Sequence, residues 1–177
     1  TDQLSKGLST AQIAALTTSQ IMALSTDEVA ALTTDQVVAL NTTQVGVLKT
    51  SQVAALTTAA IAAMETRDVA ALSTASINAL STDQLSKGLS TDQIAALTTA
   101  QITALNTTQM AALTTDQVVA IEAVDIQALS SKQLNSLATA TVAALTSDQI
   151  VALSSDQVAA SSLNFGRRRQ VSVARPS

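Results

Sequence analysis

The side chains that could support catalysis or bind a metal are carboxylates, and they are spread along the chain at a regular spacing. The sequence contains thirteen Asp and Glu residues but no His and no Cys. Without imidazole or thiolate groups, the usual zinc, haem and iron–sulfur ligand sets cannot form, nor can the common Ser–His or Cys–His nucleophile pairs. Phosphate-binding Gly-rich loops and calcium-binding Gly-Gly-x-Gly-x-Asp nonapeptides are also missing from the sequence.

Paired acids such as Asp27-Glu28 could in principle perform acid–base chemistry, which needs titratable groups placed at the reacting atoms. The Asp of this pair recurs at equivalent positions, at residues 27, 35, 83, 92, 116, 148 and 156. A catalytic site would need residues that depart from a repeat, and these residues follow it. We therefore predict no catalytic, metal-binding or cofactor-binding residue and no cofactor, and we expect that the chain is not an enzyme.

The pattern that these acids follow is an eight-residue repeat, whose typical unit reads Leu-Thr-Thr-Asp-Gln-Val-Ala-Ala. Internal repeats must be recognised first, since a missed repeat leads to the wrong fold. The register slips by one residue between Leu80 and Leu89. The nineteen octads are marked by Leu, Met or Ile at 8, 16, 24, 32, 40, 48, 56, 64, 72, 80, 89, 97, 105, 113, 121, 129, 137, 145 and 153.

A longer repeat lies above the octad, because the decapeptide at residues 1–10 returns unchanged at residues 82–91. Residues 1–81 and 82–162 are therefore two copies of one super-repeat, which internal duplication explains. We predict an octad-repeat solenoid over residues 1–160, followed by a basic, disordered tail at residues 161–177. The chain opens within a unit, as we expect of a segment of a longer protein.

Each octad carries the signals that start a short helix. In the octad that follows Leu32, Thr33 and Gln36 have the spacing of a capping box, in which each side chain accepts a hydrogen bond from the other residue's backbone N–H. Leu32 and Val37 form the hydrophobic-staple pair that accompanies such a box. Asp35 falls in the first helical turn, where its charge faces the positive end of the helix dipole.

Thirteen of the nineteen octads have a complete box, with the cap residue at 9, 17, 25, 33, 41, 81, 90, 98, 106, 114, 130, 146 and 154. This series predicts an all-α solenoid of short capped helices, one per octad, each broken at the next cap. A β-solenoid is the rival, since Thr, Val and Ile favour strands, although Ala is abundant and Gly is scarce at the corners. One continuous helix is disfavoured, because a spacing of eight residues would make Leu spiral around it.

The solenoid must bury its apolar positions between neighbouring octads, because helices this short are unstable alone. We predict that the Leu and Ile/Val side chains of every octad point into one shared interior. We also predict that the Asp and Gln positions line the exterior.

The charge of the chain is divided between the array and the tail. Residues 1–160 contain five basic and thirteen acidic residues, a net charge of −8, whereas residues 161–177 carry four Arg and no acid. Arg167, Arg168 and Arg169 could contact an acidic surface, nucleic acid or the array itself. The apolar runs of the array are about four residues long against the roughly 20 that a bilayer requires, which predicts no membrane insertion.

Two further patterns, a pair of glycosylation sequons and a series of spaced threonines, each suggest a role apart from the repeat fold. Asn41-Thr42-Thr43 and Asn106-Thr107-Thr108 fit the N-glycosylation sequon, but each Asn also occupies the cap position, and capping is the preferred interpretation. Threonines at regular spacing, namely Thr18, Thr34, Thr58, Thr74 and their equivalents, could form a ladder of hydroxyls. Such a ladder suggests an alternative function, binding to ice or another ordered surface.

Residues 113–121, Leu-Thr-Thr-Asp-Gln-Val-Val-Ala-Ile, resemble the first helix of the DNA-reading repeat in transcription activator-like effectors. The base-reading dipeptide, the following Gly-Gly and the second helix of that repeat are absent. The negative array would also repel phosphates, whose neutralisation drives DNA affinity. We expect no nucleic-acid partner for the array.

The octads over residues 1–160 resemble Ala-Leu-Thr-Thr-x-Gln-Val tracts of very large bacterial secreted or surface proteins of adhesin-like type. The resemblance implies a non-catalytic scaffold, a stalk or filament-forming segment at the cell surface or outside the cell. We expect its partners to be further copies of the chain, joined end to end, or adjoining domains of the same polypeptide.

Overall fold

The computed structural model describes residues 7–160, and within them each octad forms one short helix, as predicted. Eighteen are α-helical and one, Gln84–Gly88, is π-helical; the described residues contain no strand. The all-α prediction is therefore confirmed, and its β-solenoid rival is wrong. The α-helices are Thr10–Ala14, Thr18–Ala23, Thr26–Ala30, Thr34–Val38, Thr42–Gly46, Thr50–Ala55, Thr58–Ala63, Thr66–Ala71, Thr74–Asn78, Thr91–Ala95, Thr99–Ala104, Thr107–Ala112, Thr115–Ala120, Ala123–Ala128, Ser131–Ser136, Thr139–Ala143, Ser147–Ala152 and Ser155–Ala160.

Most consecutive helices are joined by two or three residues, and the two-residue turn between Thr50–Ala55 and Thr58–Ala63 has both residues in extended conformation. Leu56 ends the first helix with φ −61° and ψ 141°, and Thr57 caps the second with φ −71° and ψ 157°. The described residues have no positive φ at any position. Because the turn avoids the left-handed region, it needs no Gly, and this explains how a chain with so few glycines can turn every eight residues.

All thirteen predicted capping boxes are formed, with both reciprocal hydrogen bonds in each. In the box of Thr33, the hydroxyl accepts from the Gln36 backbone N–H at 3.2 Å, and Gln36 Oε1 accepts from the Thr33 N–H at 2.9 Å. The first residues of each helix lack intrahelical acceptors, so these bonds satisfy N–H groups that would otherwise be unpaired. The predicted helix boundaries are confirmed at every box, with caps at 9, 17, 25, 33, 41, 81, 90, 98, 106, 114, 130, 146 and 154.

The helices stack in a superhelix with three octads in each turn. Thr42–Gly46 packs on Thr66–Ala71, and Ala123–Ala128 packs on Ser147–Ala152, in each case three helices further along. The same three-helix spacing relates the other extensive helix contacts of the described chain. Each helix therefore lies above the helix one turn earlier, and the array grows along one axis.

One continuous core runs along that axis, and it contains the positions that we predicted for the interior. Ile102 and Leu105 of one octad are at most 2% exposed, and the equivalent residues of neighbouring octads join them in a single apolar cluster. The prediction for the repeated Asp is also confirmed, since Asp35 and Asp92 are exposed. The prediction for Gln is wrong, because Gln101 and its equivalents are buried through most of the array.

The extra residue between Leu80 and Leu89 is absorbed by the π-helical turn Gln84–Gly88. There the Leu89 N–H donates to the Gln84 carbonyl five residues earlier, at 3.1 Å. A single π-turn accommodates one inserted residue while the neighbouring helices keep their positions. The superhelix therefore continues across the insertion without a break.

Candidate functional site

The most regular chemical feature of the molecule is a series of buried Gln side chains, which we call the glutamine column. Gln101 illustrates it: Oε1 accepts from the Thr98 N–H at 2.8 Å, and Nε2 donates to the carbonyls of Val69, Ala70 and Leu72 at 3.1, 3.2 and 2.7 Å. One end of the amide caps its own helix. The other end binds the carboxyl end of a helix in the preceding turn, whose last carbonyls lack intrahelical partners.

This arrangement recurs, always with acceptors 28 to 32 residues earlier in the chain. The members of the glutamine column are Gln36, Gln44, Gln52, Gln84, Gln93, Gln101, Gln109, Gln117, Gln133, Gln149 and Gln157. Burial of an amide costs free energy unless both its ends are hydrogen-bonded, and these bonds remove that cost. Sequence reasoning identified the capping half of the interaction and missed the other half.

The described column is interrupted where another residue occupies the Gln position, at residues 60, 68, 76, 125 and 141. Asp68 is 2% exposed and accepts from the Thr42 hydroxyl at 2.7 Å. Asp125 is also buried, and its Oδ1 has no hydrogen-bond partner. A carboxylate has no N–H to donate to the carbonyls of the preceding turn, so the link between turns is weaker at these two positions.

The pair Asp27-Glu28, which raised the question of acid–base chemistry, has two separate structural positions. Asp27 is exposed in the first helical turn. Glu28 closes a capping box, and its Oε2 accepts from the Ser25 N–H at 2.8 Å and from the Ser25 hydroxyl at 2.9 Å. The backbone hydrogen bond first, and the hydroxyl second, hold the pKa of Glu28 below its ordinary value. Glu28 is thus a charged cap.

Over residues 7–160, no three acidic, His or Cys side chains come together as a metal site would require. None of the described helices has the length and apolarity of a bilayer-spanning segment.

A shallow surface groove is lined by Leu16, Thr18, Asn41, Thr43 and Arg67, among others. Arg67 pairs with Glu65 at 2.6 Å and lies 4.0 Å from the Asp68 carboxylate.

The sequon asparagines act as caps, as the preferred interpretation predicted. Asn41 Oδ1 accepts from the Gln44 N–H and Asn106 Oδ1 from the Gln109 N–H, both at 3.0 Å.

Because each turn contains three octads, the threonines of the predicted ladder lie in three different columns of the superhelix. Thr34 and Thr58 lie one turn apart in one column, whereas Thr18 and Thr74 fall in the two other columns. The four residues named for the ladder therefore do not share one face.

The predicted tail, with Arg167, Arg168 and Arg169, lies outside the described residues. At the two ends of the described stack, side chains that are buried elsewhere reach the surface. Gln12 and Gln20 are exposed at the first end, and Val158 is 42% exposed at the last.

A model of the ALTTAQ repeat matches the chain five times, at residues 1–34, 26–58, 61–99, 89–121 and 118–155. Together these matches cover far more than half of the sequence. No curated protein and no solved structure matches it.

Proposed function

Because the chain belongs to the ALTTAQ repeat family, we propose that it is a non-catalytic structural scaffold, a stalk or filament-forming segment that sets a distance between other parts of an assembly. The observation that carries the proposal is the glutamine column. Its hydrogen bonds connect eleven of the described helices to the preceding turn of the superhelix, beside the continuous apolar core. A stack connected in this way resists bending and separation of its turns.

The dimensions of the array suit this role. Nineteen helices at three per turn make roughly six turns, and helices pack about 8–10 Å apart, which gives a rod about 50–60 Å long. Length increases with every added octad, while the cross-section stays the same. The carboxylates outside the core are dispersed caps and first-turn acids, which supports a role without chemistry.

We propose a location at the cell surface or outside the cell. The support is the resemblance to adhesin-like tracts and a fold that depends on no thiol, since the chain has no Cys. Partners in this setting are further copies of the chain or adjoining domains of the same polypeptide. The net charge of −8 over residues 1–160 disfavours nucleic acid as a partner of the array.

The scaffold role is tested by lengthening the array. A variant in which residues 82–162 are duplicated in place gains ten octads, and we expect small-angle X-ray scattering to show a rod about 30 Å longer with an unchanged cross-section. A thicker particle, or one with no gain in length, would contradict the proposal. Location is tested separately, by protease treatment of intact host cells, where cleavage without lysis is expected.

A further inference from the structure

The glutamine column has a gap that spans one complete turn of the superhelix. Three consecutive octads carry Ala60, Asp68 and Ser76 at the Gln position, and these side chains are at most 2% exposed. Because three octads make one turn, each of the three columns of helices lacks the amide in this turn. The two other replacements in the described column lie in octads separated by that of Gln133, which keeps its link to the preceding turn. We call residues 57–80 the glutamine-free turn.

The turn before it still presents the carbonyl groups that a Gln would bind. Elsewhere in the column the acceptors lie 28 to 32 residues before the donor. The same offsets from positions 60, 68 and 76 fall within residues 28–48, at the carboxyl ends of the helices Thr26–Ala30, Thr34–Val38 and Thr42–Gly46. The last carbonyls of a helix have no intrahelical donor, so they depend on partners from outside it.

The residues of the glutamine-free turn do not replace the missing amides. Ala60 has no polar side-chain atom, and Asp68 accepts from the Thr42 hydroxyl at 2.7 Å. The Ser76 hydroxyl shares a hydrogen bond with the Ser73 hydroxyl of its own octad at 2.8 Å. None of the three side chains therefore makes the bond from Nε2 to helix-end carbonyls that its equivalents make. The contact between these two turns is correspondingly weaker.

The gap also leaves few amides to hold together the two parts of the array on either side. Within the described column, Gln52 alone crosses the chain boundary before Lys49, and Gln84 alone crosses the boundary before Thr57. The boundary before Ser90, by contrast, is crossed by the amides of Gln93, Gln101, Gln109 and Gln117.

Apolar packing continues through the gap. Thr34–Val38 packs on Thr58–Ala63, and Thr42–Gly46 packs on Thr66–Ala71. Val37 and Val69, which lie in the core on the two sides, are at most 2% exposed. Apolar burial is non-directional, so it holds the two turns together without fixing their alignment as a series of hydrogen bonds does.

We propose that this contact, between residues 25–48 and residues 57–80, is a joint built into the array. The glutamine-free turn separates from the turn before it more readily than other neighbouring turns separate, because local opening occurs where the stabilising contacts are fewest. The use of the joint rests on the scaffold function and deepens it, since the joint is where the rod bends or opens under load.

The second super-repeat provides a matched comparison. The positions 81 residues after Asp68 and Ser76 are Gln149 and Gln157, and both bind carbonyls of the preceding turn. Together with Gln133 they cross the boundary that corresponds to the one before residue 49. The second super-repeat thus has the same fold at this place without the same gap.

The proposal is tested by trypsin digestion of the folded chain, because cleavage of a structured segment requires that segment to open. The background variant Lys49→Ser/Ser51→Lys places the first cleavage site at position 51, the counterpart of Lys132 in the second super-repeat. Both positions are exposed in the folded chain. Mass spectrometry identifies each cleaved bond and measures its rate. We expect cleavage after position 51 to be about tenfold faster than cleavage after Lys132.

The missing amides can be supplied in the same background. The variant Ala60→Gln/Asp68→Gln/Ser76→Gln gives the glutamine-free turn a donor in every column. We expect it to slow cleavage after position 51 to the rate measured after Lys132. Because this variant adds bonds and removes none from the column, its result does not depend on tolerance of a damaging substitution. Equal rates at the two positions in the background variant, or no slowing in the repaired one, overturns the joint.

The gap can also be transferred to the second super-repeat. We expect Gln149→Asp/Gln157→Ser to raise cleavage after Lys132 about tenfold and to leave cleavage after position 51 unchanged. Asp125→Gln is the control, since an amide there crosses neither reporter boundary, and both rates should stay as in the background. A transfer variant cleaved faster at both positions, or a control cleaved more slowly at both, would show that opening is global and would overturn a local joint. The scaffold function would survive that result, because the length of the duplicated array tests it independently.

Discussion

At the scale of single residues, the two ends of one amide have separate roles. Gln101 Oε1 completes the cap of its own helix, and Nε2 joins that helix to the turn before it. Replacement by Glu separates the two roles, since a carboxylate can accept in the capping box but cannot donate to carbonyls.

We therefore expect Gln101→Glu to lower the free energy of unfolding by about 2 kcal/mol, because buried carbonyls lose their donor and a charge is placed beside them. The measurement is urea denaturation at neutral pH. Gln20→Glu is the matched control, since Gln20 is exposed and donates to no described carbonyl. Equal losses in the two variants would show that Nε2 contributes nothing to stability.

Glu28 makes the stability of the array depend on pH. Its pKa in the folded chain is lowered by the hydrogen bonds from Ser25, so its contribution is complete above the pKa of the unfolded chain and is lost as the pH falls through the folded value. We expect the melting temperature of the unmodified chain to decline more than that of Glu28→Gln between about pH 6 and about pH 3. Parallel curves for the two proteins would contradict this assignment.

At the scale of helices, the array depends on close approach between neighbouring turns, and Gly88 has the tightest surroundings of the described glycines. Its Cβ would meet a backbone carbonyl and a branched side chain, neither of which moves easily. At Gly46, the last residue of Thr42–Gly46, an added Cβ would lie 3.4 Å from the Ala71 carbonyl, an ordinary contact distance.

The same substitution should thus have opposite effects at the two glycines. Gly88→Ala is expected to destabilise the chain by about 1 kcal/mol through overpacking. Gly46→Ala is expected to stabilise it by about 0.5–1 kcal/mol, since Ala is the better helix former and restricts the unfolded chain. Chemical denaturation of both variants measures the difference. Stabilisation at both positions would show that the π-helical turn has room to adjust.

At the scale of the whole molecule, the core is one long cluster in which each turn contacts the turns before and after it. Stability in such an array accumulates through these contacts between neighbours. A destabilising substitution in one turn should therefore uncouple the unfolding of the segments on its two sides.

Leu97 lies in the middle of the core and is 4% exposed. We expect Leu97→Asp to split unfolding into two transitions, which calorimetry would resolve as separate peaks. Asp92→Ala, on the exposed side of the same octad, should cost only about 0.5 kcal/mol from the lost interaction with the helix dipole and should keep a single transition. A single transition in Leu97→Asp would indicate cooperativity over more than neighbouring turns.

The sequence by itself determined the helices, their boundaries and their apolar faces. The capping boxes join residues only three positions apart, such as Thr98 and Gln101, so the information that starts each helix lies within one octad. The spacing of Leu and Ile/Val likewise determined which positions had to be buried, because short helices cannot be stable without that burial.

The tertiary structure alone decided the number of octads in a turn, the burial of Gln and the conformation of the extra residue before Leu89. Gln101 donates to carbonyls 29 to 32 residues earlier, a distance along the chain that no local pattern specifies. The pattern within one octad predicts an exposed Gln side chain, but that side chain is buried where a preceding turn supplies acceptors for its amide. Gln12 and Gln20 agree with this reason, since they have the same local sequence, the described residues include no turn before them, and both are exposed.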